Sequence, residues 1–147
     1  MASSLSLNYR TPTHSHLKLS IQEEREMAKV LVVDDSRIQR RVLSAKLTSA
    51  GHTPIEAENG LEALKCIDAN SPDFIVTDMH MPEMNGVELL RILKERKSEI
   101  PVIVVTAEIQ VDVIEEVKML GAKAFLIKPV KPEFIVQAVE FLLKSAS

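Results

Sequence analysis

Three aspartates, a threonine and a lysine each stand directly after a short apolar run, and their side-chain types suit phosphoryl chemistry. Val30-Leu31-Val32-Val33 stops at Asp34-Asp35, Phe74-Ile75-Val76-Thr77 at Asp78, Val102-Ile103-Val104-Val105 at Thr106, and Phe125-Leu126-Ile127 at Lys128-Pro129. Runs of this kind read as buried parallel strands, and in an open α/β sheet ligands bind beyond the carboxyl ends of the strands. Three carboxylates, a hydroxyl and an ammonium are therefore expected at one edge. Carboxylates held that close repel, and one would take up a proton unless a cation shared the site. An all-oxygen donor set suits Mg2+, with Mn2+ as a substitute, because such a cation keeps several waters and takes a phosphate oxygen from its substrate. Asp35 and Asp78 are the expected direct ligands, Asp34 acts through water, and the backbone carbonyl of His80 completes the set. The His80 imidazole has no His or Cys close in sequence with which to hold a transition metal. With the cation in place, the Asp78 carboxylate can attack phosphorus. Lys128 then offsets the developing charge and the Thr106 hydroxyl donates a hydrogen bond to it.

Each of these residues has an ordinary explanation when taken alone. An acidic pair favours the start of a helix through the dipole, a Thr after a strand is usually a cap, and a Lys before Pro is usually solvated. Their joint arrival at one sheet edge has no such explanation.

The elements that must position them follow from the hydrophobic pattern. From Lys29 onward strand and helix alternate five times. A strand near 29–33 leads to Ser36, which can cap a helix with Ile38, Val42, Ala45 and Ser49 on one stripe, closed by Gly51. A weaker strand over 53–58 precedes Asn59-Gly60 and a helix with Leu61, Leu64 and Ile67 at helical spacing. The third strand follows Ser71-Pro72. Residues 79–86 form a loop, because Pro82 and Asn85-Gly86 both disfavour regular structure. A helix over 87–97 turns Val87, Leu90, Ile92 and Leu93 inward, Pro101 opens the fourth strand, and a helix over 109–120 ends at Gly121. The fifth strand spans 123–127, and Pro132 opens a last helix with Ile135, Ala138, Val139 and Leu142 on one face. The order is (βα)5, which demands a parallel sheet with helices on both faces. The flavodoxin-like strand order 2-1-3-4-5 suits it and puts the switch point between the strands ending at Asp34-Asp35 and at Asp78.

Length and composition set the outer bounds. The 147 residues fit one α/β domain, expected over 28–147, after a segment of residues 1–27 that is rich in Ser, Thr and His and shows no apolar periodicity. That segment is expected to be a disordered tail or an over-extended start ahead of Met27; its opening, basic and without acids over the first 20 residues, is also compatible with organelle import. Apolar residues make up 46% and aromatics 3%, so the core must be aliphatic. The net charge of −3 leaves no basic face for nucleic acid. No apolar run approaches the roughly 20 residues of a membrane span, so a soluble, cytoplasmic protein is expected. Cys66, the lone cysteine, reads as a packed thiol in a reducing compartment.

The combined motifs Val-Leu-Val-Val-Asp34-Asp35-Ser, Thr-Asp78-Met-His-Met-Pro82-Glu-Met-Asn-Gly86, Val-Val-Thr106-Ala107 and Phe-Leu-Ile-Lys128-Pro129 resemble the receiver domain of bacterial two-component response regulators. The resemblance spans about residues 28–145. It implies that Asp78 is the phosphoacceptor, that Asp34 and Asp35 are the acidic pair for Mg2+, that Thr106 and Lys128 sense the phosphoryl group, and that Lys128-Pro129 is a cis peptide. Phe125 stands at the aromatic switch position without the hydroxyl of the more usual Tyr. His80 and Glu108, two positions past Asp78 and Thr106, fall where the family modulates phosphoryl lifetime. The resemblance implies a monomeric, stand-alone CheY-like signalling module, not an enzyme. A histidine kinase would phosphorylate it, and a face formed by the fourth helix, fifth strand and fifth helix would switch affinity for an output protein, such as a flagellar motor switch or another signalling protein. The alternative is a phosphorelay intermediate that passes the group to a histidine-phosphotransfer protein. An aspartyl-phosphate phosphatase of the haloacid dehalogenase type would need a second Asp where this chain has His80, a flavin module would need a phosphate loop where two acids stand, and a non-phosphorylated scaffold would need a broken acid set.

Overall fold

The computed structural model describes residues 27–107 and 110–146, so Glu108 and the segment before Met27 lie outside the described residues. Among the described residues five strands and five helices alternate: β1 (Lys29–Val33), α1 (Arg37–Ser49), β2 (Thr53–Ala57), α2 (Gly60–Asn70), β3 (Phe74–Asp78), α3 (Gly86–Glu95), β4 (Val102–Thr106), α4 (Val111–Met119), β5 (Ala124–Ile127) and α5 (Pro132–Ala146). All paired strands are parallel, in the order β2-β1-β3-β4-β5. This is the doubly wound order expected from the pattern.

The near-continuous apolar strands are explained by burial on both faces. Alternate residues point to opposite sides of a strand. Leu31, Val33, Ile75 and Val104 pack under α2, α3 and α4 with Ala63, Leu89, Leu90, Leu93 and Val117. Val30, Val32, Val76, Ile103 and Val105 pack under α1 and α5 with Leu43, Leu47, Ile135, Val136 and Val139. The small aromatic share is no handicap, since aliphatic side chains fill both layers.

The helix ends follow the capping rules. Ser36, Asn59 and Asn85 accept from backbone N–H groups of Gln39, Glu62 and Glu88. Gly121, at φ +99°, takes the left-handed conformation that closes α4. One expectation fails. Ile38, Val42, Ala45 and Ser49 are not the buried stripe of α1; Leu43, Ser44 and Leu47 are, while Ile38 is 77% exposed. The helix carries two apolar stripes and only one can face the sheet. The larger Leu43 and Leu47 take the buried side, and Arg40 then reaches Glu56 at 3.2 Å. Leu61 of α2 is likewise half exposed, with Ala63 taking the buried place.

Candidate functional site

The strand register brings the chemistry-bearing residues to one edge. Val33 pairs with Thr77, so the next residues, Asp34 and Asp78, leave the sheet side by side. Asp78 pairs with Val105, and Thr106 pairs with Ile127, one residue before Lys128. One carboxylate oxygen from each of Asp34, Asp35 and Asp78 lies within 4.8 Å of the others. The Lys128 ammonium meets this cluster, donating to Asp78 Oδ2 at 3.1 Å.

Local backbone contacts hold each group in place. The Met79 N–H donates to Asp78 Oδ1 at 2.7 Å, which fixes the rotation of the carboxylate and leaves Oδ2 turned to Lys128. Gly86 lets the 79–85 loop fold back on the strand end: its N–H donates to the Met79 carbonyl, and a Cβ there would stand 2.7 Å from the Asp78 carbonyl oxygen. Asp34 is tied at both ends, its N–H donating to the Ala57 carbonyl and its Oδ1 accepting from the Ser36 N–H at 2.9 Å. Burial pushes the Asp34 carboxyl above its ordinary value; the Asp78 and Asp35 carboxylates add to the rise, and the Ser36 N–H and Lys128 ammonium hold it back. Lys128 reaches the cluster because its own N–H is anchored on the Thr106 carbonyl at 2.8 Å, ahead of the cis peptide to Pro129.

The other expected residues take distinct places. Thr106 is fully buried at the end of β4. Phe125 is half-buried against the layer that contains Val104 and Val117. His80 is exposed in the loop after β3, outside the acidic cluster formed by the described side chains. Cys66 lies away from the site in α2, its thiol pushed up by burial and by the Glu62 carboxylate.

Three residues that reading the motifs did not select also belong to the site. The Arg40 guanidinium donates to the Asp34 carbonyl at 2.7 Å and to Glu56 Oε1 at 3.2 Å, bracing the turn that carries the acidic pair. The Gln39 carbonyl oxygen accepts from the Lys128 ammonium at 3.2 Å. The acid Glu56, the last residue but one of β2, was the available signal, because a charge inside a strand asks for a partner. Beside Asp78 and Lys128 opens a groove of about 550 Å3 walled by Ile38, Val42, Leu43, Val105, Val130 and Ile135.

Comparison with known proteins agrees with this fold. The chain is 36% identical to Chemotaxis protein CheY of Pseudomonas aeruginosa over 115 residues, which is 76% of this chain and 93% of that protein. It is 37% identical to Sporulation initiation phosphotransferase F of Bacillus subtilis over 112 residues, 76% of this chain and 90% of the relative. Among solved structures, the receiver domain of Francisella response regulator 1452 superposes with a TM-score of 0.77 at 32% identity, covering 82% of this chain and 99% of that one. The chemotaxis protein CheY4 of Vibrio cholerae gives 0.73 at 33% identity, covering 79% and 98%. Residues 30–140 match the response regulator receiver domain as a family, and the chain belongs to it.

Proposed function

We propose that this receiver domain takes a phosphoryl group onto Asp78 from a phosphohistidine of a protein kinase and changes its affinity for a downstream protein as a result. One observation carries the reading: three carboxylates and one ammonium converge at the switch point of the sheet, with the Asp78 carboxylate held between the Met79 N–H and Lys128. A single lysine leaves the cluster with an excess of negative charge, and the donors are all hard oxygens, so Asp34, Asp35 and Asp78 fit a divalent cation, Mg2+ or Mn2+. That cation, when bound, offsets the charge of the phosphoryl oxygens.

The residues divide the work. An Asp78 carboxylate oxygen forms the bond to phosphorus while the bond from phosphorus to the donor's imidazole nitrogen breaks, and the imidazole leaves with the electron pair. Lys128 follows the phosphoryl oxygens. Thr106 turns toward them, and Phe125 fills the space released, which couples the site to the outer side of β5 and to the α4-β5-α5 face. His80 and Glu108 govern the approach of water. The exposed Ile38 and Val42 beside Asp78 supply an apolar landing strip for the helices that present the donor histidine. The same groove suits a relay that passes the group on to a second histidine protein, a reading favoured by the similarity to Sporulation initiation phosphotransferase F.

Acetyl phosphate should add one phosphoryl group, seen by intact mass, only when Mg2+ or Mn2+ is present. Labelling that persists in Asp78→Asn, or in excess EDTA, overturns the assignment.

A further inference from the structure

Ser36 and Gln39 have the spacing of a capping box, in which the third helical residue reaches back to the N–H of the cap. The box is complete at α3, where Asn85 and Glu88 each accept from the other's N–H at 2.9–3.0 Å. At α2 the acid Glu62 likewise reaches back, to the Glu58 N–H. At α1 the box is half open. Ser36 Oγ accepts from the Gln39 N–H at 3.3 Å, but the Ser36 N–H is already taken by Asp34 Oδ1. The Gln39 side chain is thereby released from capping, and its carbonyl oxygen meets the Lys128 ammonium at 3.2 Å while the same ammonium holds Asp78 Oδ2 at 3.1 Å.

From this we infer that Gln39 is a positioning residue, which keeps Lys128 poised over Asp78 before the phosphoryl group arrives. The inference rests on the reading of Asp78 as phosphoacceptor. A lysine ammonium is a compact charge on a flexible stem and needs more than one acceptor to stay in one place. The residue type matters as much as the contact. The side chains that reach back at α2 and α3 are both Glu, whereas a carboxylate at 39 would add a fourth negative charge beside the incoming phosphoryl oxygens. An amide oxygen holds the cation without repelling the substrate. It is also the weaker acceptor, so the charged phosphoryl oxygens can draw the ammonium away from it when they appear.

The test uses the full chain with Gln39→Leu, Gln39→Glu and Lys128→Met. Initial labelling rates with acetyl phosphate at saturating Mg2+ are compared with the 15N–1H correlation of the lysine ammonium groups, the Lys128 signal being identified by its loss in Lys128→Met. Gln39→Leu should slow labelling by about three- to tenfold and broaden or remove the Lys128 signal, with the Mg2+ dependence and melting temperature unchanged. Gln39→Glu should keep the Lys128 signal yet label more slowly than the natural chain. An unchanged rate in Gln39→Leu overturns the inference, and so does a slowed rate with the Lys128 signal intact. Failure of the natural chain to label on Asp78 overturns the functional reading, and the role of Gln39 in that reaction with it; the ammonium signal separates this outcome by showing whether Gln39 still holds Lys128.

Discussion

Asp34 lies where the conflict between stability and function is sharpest. Its carboxyl is pushed up by burial first and by its acidic neighbours second. A group whose folded-state value is raised favours folding when protonated, so that contribution is complete in acid and is lost as the pH rises through the raised value. At neutral pH in EDTA the ionised Asp34 therefore costs stability. Asp34→Asn keeps an oxygen for the Ser36 N–H and removes the charge. The variant should melt a few degrees above the natural chain in EDTA at pH 7, lose that advantage toward pH 3, and gain less from added Mg2+. Thermal melts with and without the metal check this, and a lower melting temperature at pH 7 in EDTA contradicts it.

The first helix divides its side chains between two tasks, and substitution separates them. Leu47 is fully buried against the sheet, so Leu47→Ala should cost about 3 kcal/mol. Ile38 and Val42 line the groove, the first largely in solvent and the second about half exposed, so Ile38→Ser should change stability by less than about 0.5 kcal/mol and Val42→Ser by less than about 1 kcal/mol. The same two substitutions should slow phosphoryl transfer from a protein donor while leaving acetyl phosphate labelling intact. Equal rates from the protein donor would remove the groove from the docking surface. These elements also mark how far the sequence could be read. Strands buried on both faces announce themselves as unbroken Val/Ile/Leu runs, so Asp34, Asp78, Thr106 and Lys128, each just past such a run, were legible together with the strand order. The rotation of α1 was not, because it carries two apolar stripes, and which one meets the sheet depends on packing against β1 and α5 and on the reach of Arg40 to Glu56. Gln39 and Arg40 were hidden for a related reason: their side chains act on other elements, Arg40 on Glu56, which the register sets beside Val32, and Gln39 on Lys128, which the register of β4 with β5 carries to the same edge.

The described helices bury both faces of the sheet. The segment before Met27 carries no apolar stripe in its sequence. Deleting residues 1–26 should therefore leave the melting temperature and the Mg2+-dependent labelling unchanged, and a loss above about 1 kcal/mol would show that it docks.

The buried His52 ties the first strand to the last helix. Its Nδ1 accepts from the Ala28 N–H at 3.1 Å, just before β1, and its Nε2 meets Glu140 Oε2 at 3.1 Å, on α5. The start of β1 and the middle of α5 are thus joined through one side chain, at the end of the sheet opposite Asp78. Joints made on that side of the domain should be tolerated without disturbing the site. The domain can carry a reporter there, with the junction left out of the path of any phosphoryl donor.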